Sequence, residues 1–371
     1  MLKKCFIFLF ILLYVAPAMA LRCGDIAMEP LRVRWYSGSP FRFAYPSTQE
    51  NRGKLSVAVF LLCRAPQAVP TMQMLNTLAA KYAGKLNVAV ITPDHAGDLK
   101  ALLKIIPAKG ISAGVDEDRK LTANFMAGSP LYPMAFVSDA GGTIIWNGEA
   151  VDLGEIITRC FSGKFDAAAA KKISPMLDEL HACMRNNDDR MMNNLVRDIL
   201  VLDPGNAAAL RLRLFSLEQR NRGMEAWQLI YGELQKSPQI PRLYFTALDL
   251  TLNNFRLTGF TEKLLVEFDK NITDAEHRAL MAYTLCERTT FNSIAVKMAD
   301  KLLKDIDLSN LQTSVNALVY AAKASVAYRL CKLDDAKAYQ KKCVELWKLA
   351  GSEPNIRTSQ ERLNYFNAIS K

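Results

Sequence analysis

Residues 132–148 read Tyr-Pro-Met-Ala-Phe-Val-Ser-Asp-Ala-Gly-Gly-Thr-Ile-Ile-Trp-Asn-Gly. Met134–Ser138 and Thr143–Trp146 are β-rich runs, and Asp139-Ala140-Gly141-Gly142 between them supplies residues that accept positive φ. The stretch therefore predicts a β-hairpin. Outward from it, Leu55–Leu62 and Leu86–Thr92 are continuous apolar runs that predict fully buried strands. Met72, Leu75, Leu78 and Ala79 recur at helical spacing within 72–82, Asp98–Ile106 predicts a second helix, Leu121–Met126 a short one, and Leu153–Phe161 a closing one. Strand–helix–strand–helix followed by a hairpin and a helix implies an α/β domain over 50–165, a mixed sheet covered by helices on both faces.

Beyond Phe165 the strand signals stop. Asp166 followed by four alanines and two lysines opens a helix, and helical periodicity continues to the C-terminus, so 166–371 is expected to be an all-α domain. Breaks fall at Asp203-Pro204-Gly205-Asn206, Ser237-Pro238, Asn271–Asp274 and Asp307–Ser309. Pro204 and Pro238 stand about 34 residues apart, the length of a helix–turn–helix repeat in tetratricopeptide arrays. Ala207–Pro238 resembles one such repeat, with Leu210 and Leu217 on the first helix, Ala226 and Ile230 on the second, and a closing proline. Ala324–Trp347 is a weaker echo. Arg213-Leu214 stands where the family has Leu-Gly, so helical hairpins are expected more firmly than the exact repeat class.

Of 371 residues, half are hydrophobic and 23% charged, which excludes disordered, collagen-like and multi-span membrane classes. The N-terminus carries Lys3-Lys4, an apolar run from Cys5 to Val15 and the small-residue pattern Ala16-Pro17-Ala18-Met19-Ala20. The apolar run is well short of the roughly 20 residues that span a bilayer, so residues 1–20 read as a cleaved secretory signal and 21–49 as an N-terminal extension. Localisation is then exported and periplasmic, with no span in the mature chain. Of the eight cysteines, Cys5 leaves with the signal; Cys23, Cys63, Cys160, Cys183, Cys286, Cys331 and Cys343 remain, an odd number for an oxidising compartment. None forms a Cys-x-x-Cys, and there are only three histidines, so neither a metal site nor a cofactor is expected. Cys331 and Cys343 fall on the two helices of one predicted hairpin, which makes a disulfide between them an expectation. The net charge of +10 favours an acidic partner or an envelope surface; without a basic–aromatic cluster, nucleic acid is not expected.

The block Gly114–Asp118 through Pro133–Gly148 resembles the second half of a TlpA-like thioredoxin domain, a redoxin-type fold found in exported thiol–disulfide oxidoreductases. The resemblance covers about residues 50–165. It implies that Pro133 is the proline with a cis peptide bond that sits against the redox cysteines, so Tyr132–Pro133 is the expected cis bond. The family's pattern after the buried strand is Phe-Trp-x-x-Trp-Cys-x-x-Cys. With Phe60 on its phenylalanine and Lys81-Tyr82 on the helix end, the redox motif becomes Ala65-Pro66-Gln67-Ala68, and the tryptophan after the phenylalanine becomes Leu61.

Thiol exchange needs a thiolate at a helix N-terminus and a second thiol to resolve the mixed disulfide. Alanine provides neither. Cys63, two residues before the first expected sulfur, is the weak catalytic candidate, with Arg64 beside it to hold a thiolate; the plainer reading is a small apolar residue ending a buried strand. Asp94-His95 with Asp98 reads as the opening and cap of a helix, and Asp116-Glu117-Asp118 as a solvated acidic turn. Asn271-Ile272-Thr273 is a formal glycosylation sequon that reads as a helix start. The expected function is a pseudo-oxidoreductase: an exported thioredoxin-like module without its redox pair, binding a protein or an extended peptide on a rim formed by Ala65–Ala68, Tyr132 and Pro133. The alternative is an oxidoreductase acting through Cys63 alone or with a distant cysteine.

Overall fold

The structure, a computed structural model, describes residues 20–44, 53–126, 132–253, 255–291 and 293–369. The expected leader lies outside the described residues except for Ala20, and the expected extension is described from Leu21 to Ala44. The chain divides into two compact units, Met1–Ala209 and Leu210–Lys371.

The first unit is built on a six-stranded sheet in the order β1-β4-β3-β2-β5-β6. The strands are β1 (Arg34–Ser37), β2 (Leu55–Phe60), β3 (Leu86–Thr92), β4 (Ser112–Val115), β5 (Met134–Ser138) and β6 (Ile144–Glu149). β2, β3 and β4 are parallel; β5 runs antiparallel to β2, β6 to β5 and β1 to β4. Alternation along the central strands sorts the core into two layers. Val57, Val59, Val88 and Val90 face α1 (Ala68–Lys81), α2 (Ala96–Ile105) and α4 (Leu153–Phe161). Ala58, Phe60, Ala89 and Ile91 face α3 (Lys120–Met126) and the N-terminal residues Phe41 and Phe43. Phe125 packs edge-on to Phe136 at 4.8 Å and stacks on Phe43 at 5.1 Å, which pins the extension to the sheet. Each such ring buries about 1.5–3 kcal/mol of transfer free energy.

This is the mixed, doubly covered sheet that the sequence predicts, and its topology is thioredoxin-like. The hairpin forms because Asp139 Oδ1 accepts from the amides of Gly141 and Thr143, both at 2.9 Å, while Gly142 takes φ 83°. β1 and β4 go beyond the sequence reading. β4 is Ser-Ala-Gly-Val, too short and small to stand out, and its smallness is structural: a Cβ on Gly114 would collide with Val33 and come within 2.8 Å of the Trp35 ring.

Two helices after the sheet belong to the same unit. α5 (Ala167–Asn186) starts where Asp166 caps the amides of Ala168 and Ala169 and ends at Asn187, which takes the left-handed φ of 58°. It rests on β6: Ser174 Oγ donates to Asn147 Oδ1 at 3.0 Å, and Arg22 pairs with Asp178 at 2.6 Å. α6 (Asp189–Leu202) is tied to α4 by Arg159, which pairs with Asp203 at 2.9 Å.

The second unit is all-α. α7 (Ala207–Gln219) leads into α8 (Gly223–Lys236), α9 (Pro241–Asn253), α10 (Thr261–Asn271), α11 (Ala275–Arg288), α12 (Ile294–Lys304), α13 (Thr313–Arg329), α14 (Leu333–Ala350) and α15 (Glu353–Ala368). The predicted breaks all fall between helices, and the sequon at Asn271 precedes α11, whose cap is Asp274, accepting from His277 N. Leu210, Leu217, Ala226 and Ile230 are buried, as a helical hairpin requires, and Arg213 is buried too.

Candidate functional site

Strand register gathers the relevant loops at one end of the sheet. Phe60 pairs with Met134 and with Ile91, and Thr92 with Val115, so Leu61–Cys63, Pro93–Asp94, Asp116 and Tyr132–Pro133 all emerge at the carboxyl ends of the parallel strands. That end is where α/β sheets bind ligands. Tyr132–Pro133 is cis. The Pro133 carbonyl accepts from Ala150 N at 3.0 Å, while Tyr132 makes no backbone hydrogen bond among the described residues.

Between β2 and α1 the chain turns without a sulfur at the helix start. Ala65 O accepts from Ala68 N at 2.9 Å, Ala65 is half-buried, Pro66 and Gln67 are exposed, and Ala68 is buried. Cys63 precedes this turn and is only 8% exposed, within the layer that packs on α1. Its amide donates to Asp94 Oδ2 at 2.6 Å. Burial pushes its thiol up to about 11; a hydrogen bond with Thr92 opposes this, and Asp94 and Asp98 add to it. Burial thus favours the neutral thiol of Cys63, the opposite of the lowered thiol of a redox cysteine. Arg64, expected to stabilise that thiolate, instead pairs with Asp98 at 2.6 Å and points into solvent. Asp94 thus holds the Cys63 loop rather than capping α2, whose N-cap is His95.

Beside this loop lies a pocket of about 350 Å³. Leu62, Pro93, Ala123 and Met126 form its apolar wall; Asp94, Arg119, Thr122 and Tyr132 are its polar groups. The acidic run that reads as a solvated turn splits here. Glu117 and Asp118 are exposed and pair with Arg34 and Arg32. Asp116 is only 1% exposed: its amide donates to Thr92 O, and its Oδ2 accepts from Thr122 N at 2.7 Å. Asp116 Oδ1 and Thr122 Oγ1 are buried without a hydrogen-bond partner. Neither Asp94 nor Asp116 is paired with a cation among the described residues. Burial pushes the Tyr132 phenol up; Asp94 and Asp116 add to that, and Arg119 opposes it. Arg119 itself has φ 55° and an exposed side chain. Arg119 and Thr122 are groups that sequence reasoning missed, and Asp116 is one that it placed in water; with β4 unrecognised, no local signal marked them.

The remaining sequence candidates lie elsewhere. Cys331 sits in the α13–α14 turn with φ 61°, exposed, while Cys343 is buried on α14 with its Sγ 3.5 Å from Ser359 Oγ of α15. Ten helical positions separate Cys343 from the start of α14, roughly 15 Å of helix rise. Cys343 is a free thiol, so the expected Cys331–Cys343 disulfide is not formed: Cys331 belongs to the turn, not to the facing helix. Cys23, Cys63, Cys160, Cys183 and Cys286 are also free. Among the described residues no cluster of three His, Cys, Asp or Glu side chains could hold a metal ion, and no helix is long and apolar enough to cross a membrane.

No protein-family model and no curated protein matches this sequence. Among solved structures, the chain is similar to a thioredoxin-like protein in its oxidized form, at 19% identity over 40% of this chain and 100% of that one, with a TM-score of 0.31. A peroxiredoxin-like protein from Aquifex aeolicus aligns at 15% identity over 39% of this chain and 90% of its own, TM-score 0.31. A protein assigned as a DsbE-type thiol:disulfide interchange protein from Chlorobium tepidum aligns at 16% identity over 39% of this chain and 99% of its own, TM-score 0.31.

Proposed function

We propose that this protein is an exported thioredoxin-fold binding module that does not exchange disulfides and that holds an extended polypeptide at the carboxyl end of its sheet. The observation that carries this reading is the β2–α1 turn: alanine at 65 and 68, and the nearest cysteine, Cys63, buried with its backbone amide bound to Asp94. Tyr132, whose backbone makes no backbone hydrogen bond among the described residues, stands beside the cis Pro133 where an extended strand could pair, the usual basis of peptide recognition by strand addition. The α-helical unit, tetratricopeptide-like in this reading, supplies a second contact surface of the kind helical repeats provide. The basic, apolar and small-residue pattern of residues 1–20 supports export to the periplasm.

The purified protein is expected to show no turnover in an insulin-reduction assay, and Cys63 to resist iodoacetamide at pH 7 until the chain is unfolded. Insulin turnover abolished by Cys63→Ser would refute the reading and establish the oxidoreductase alternative.

A further inference from the structure

Behind the pocket beside the Cys63 loop lies a buried carboxyl group whose hydrogen bonding is incomplete. Asp116 is a carboxylate 1% exposed, and among the described residues no cation pairs with it and its Oδ1 has no hydrogen-bond partner. A buried charge in that state is costly unless a donor arrives. Thr122 lines the cavity: its amide is fixed on Asp116 Oδ2, it is 6% exposed, and its Oγ1 is buried without a hydrogen-bond partner among the described residues. Asp94 presents a second unneutralised carboxylate on the same wall. Opposite these acceptors the lining is aliphatic, from Leu62, Pro93 and Met126. A group that fits must combine a flexible apolar stem with a charged donor at its tip. Long basic side chains have this form.

We propose that this pocket is a subsite for a basic side chain of the bound polypeptide, its methylenes on the aliphatic lining and its cationic tip donating to Asp94, with Thr122 and Asp116 behind it. The cavity of about 350 Å³ accommodates such a side chain, lysine or arginine. Arg119 lies on the rim, exposed, where water and salt screen its repulsion of the guest, whereas the two carboxylates act from less hydrated positions. The inference rests on the peptide-binding reading and adds a preference to it.

The test is an array of short extended peptides on a constant neutral frame, varied at one central position among Lys, Arg, norleucine, Gln and Glu, and probed with the fluorescently labelled full-length protein. Lys and Arg peptides are expected to bind at least about ten-fold tighter than norleucine peptides, a gap suited to a desolvated charge pair. Asp94→Asn keeps the acceptor for the Cys63 amide, and Thr122→Val keeps the shape of the wall. Asp94→Asn is expected to shrink that gap, read as the ratio of Lys to norleucine binding within each variant, and Thr122→Val to narrow it less. Norleucine binding as tightly as Lys would overturn the subsite yet leave peptide binding standing, and a preference for Glu would assign the pocket to Arg119 instead. Absence of binding to every peptide in the array would remove the peptide-binding reading itself.

Discussion

Two buried polar clusters, one in each unit, show opposite uses of the same chemistry. In the helical unit Arg278 is 7% exposed and fully engaged. Its guanidinium donates to the carbonyls of Leu302 at 2.9 Å, Asp269 at 3.2 Å and Ile272 at 3.1 Å, and to Asp269 Oδ1 at 2.7 Å. Lys301 takes the other oxygen of Asp269 at 2.8 Å. The cluster therefore stitches α10, α11 and α12 together with its acceptors filled. The Asp116 cluster in the sheet unit has the reverse condition, with two orphaned oxygens next to a cavity. A satisfied network specifies packing, whereas an unsatisfied one beside open space retains capacity for a guest.

The largest effect that would break this comparison is on stability. Arg278→Met leaves Asp269 beside a gap and three carbonyls without donors, so it is expected to cost about 3–5 kcal/mol, read from urea denaturation midpoints. A loss under about 1 kcal/mol would show that the helical cluster is no more structural than the pocket.

Acid sharpens it next. Burial alone would raise the Asp269 carboxyl, but hydrogen bonds from Lys301 and Arg278 outweigh that and hold it below its ordinary range. A depressed carboxyl contributes stability that is present above its unfolded value near 4 and lost as pH falls through its folded value. Wild-type stability is therefore expected to fall below about pH 4 more steeply than that of Asp269→Asn, in denaturation curves taken at neutral and acid pH. Parallel pH curves for the two would sink this account of the network.

The smallest effect belongs to the pocket. Asp116→Asn keeps an acceptor for the Thr122 amide and removes a charge that no protein group neutralises, so the melting curve is expected to move by about 1 kcal/mol or less. A loss as large as that of Arg278→Met would mean that Asp116 is a structural residue and would weaken the subsite.

How much of this was legible depended on where each signal sits. The β5–β6 hairpin could be read because its cause is local: Asp139 binds amides two and four residues ahead. The helical breaks were legible for the same reason, and the plain reading of Cys63 followed from the apolar strand before it. Asp116 was misread because adjacent letters, Glu117 and Asp118, are exposed; only the arrival of β4 beside β3 places the first acid inside and the next two in water. Periodicity announced α5 as a helix but said nothing of its neighbour, and Asn147 of β6 proved to be that neighbour. The Cys331–Cys343 expectation failed at the scale of a helical turn, which hydrophobic spacing does not resolve.

The borders of the sheet carry one further consequence. Along β6, the backbone of residues 24–27 bonds to Gly142 and Ile144, and Cys23 Sγ joins Ser174 Oγ on Asn147. At the far border, β1 has a register break between Trp35 and Ser37 and carries Arg34. Sealed on one margin and kinked and charged on the other, the sheet is protected against lateral recruitment of stray strands, the route by which β-proteins polymerise. In the peptide-binding reading, a guest chain would be left the strand tips, so that guarding against self-association and choosing where to bind would be served by the same architecture.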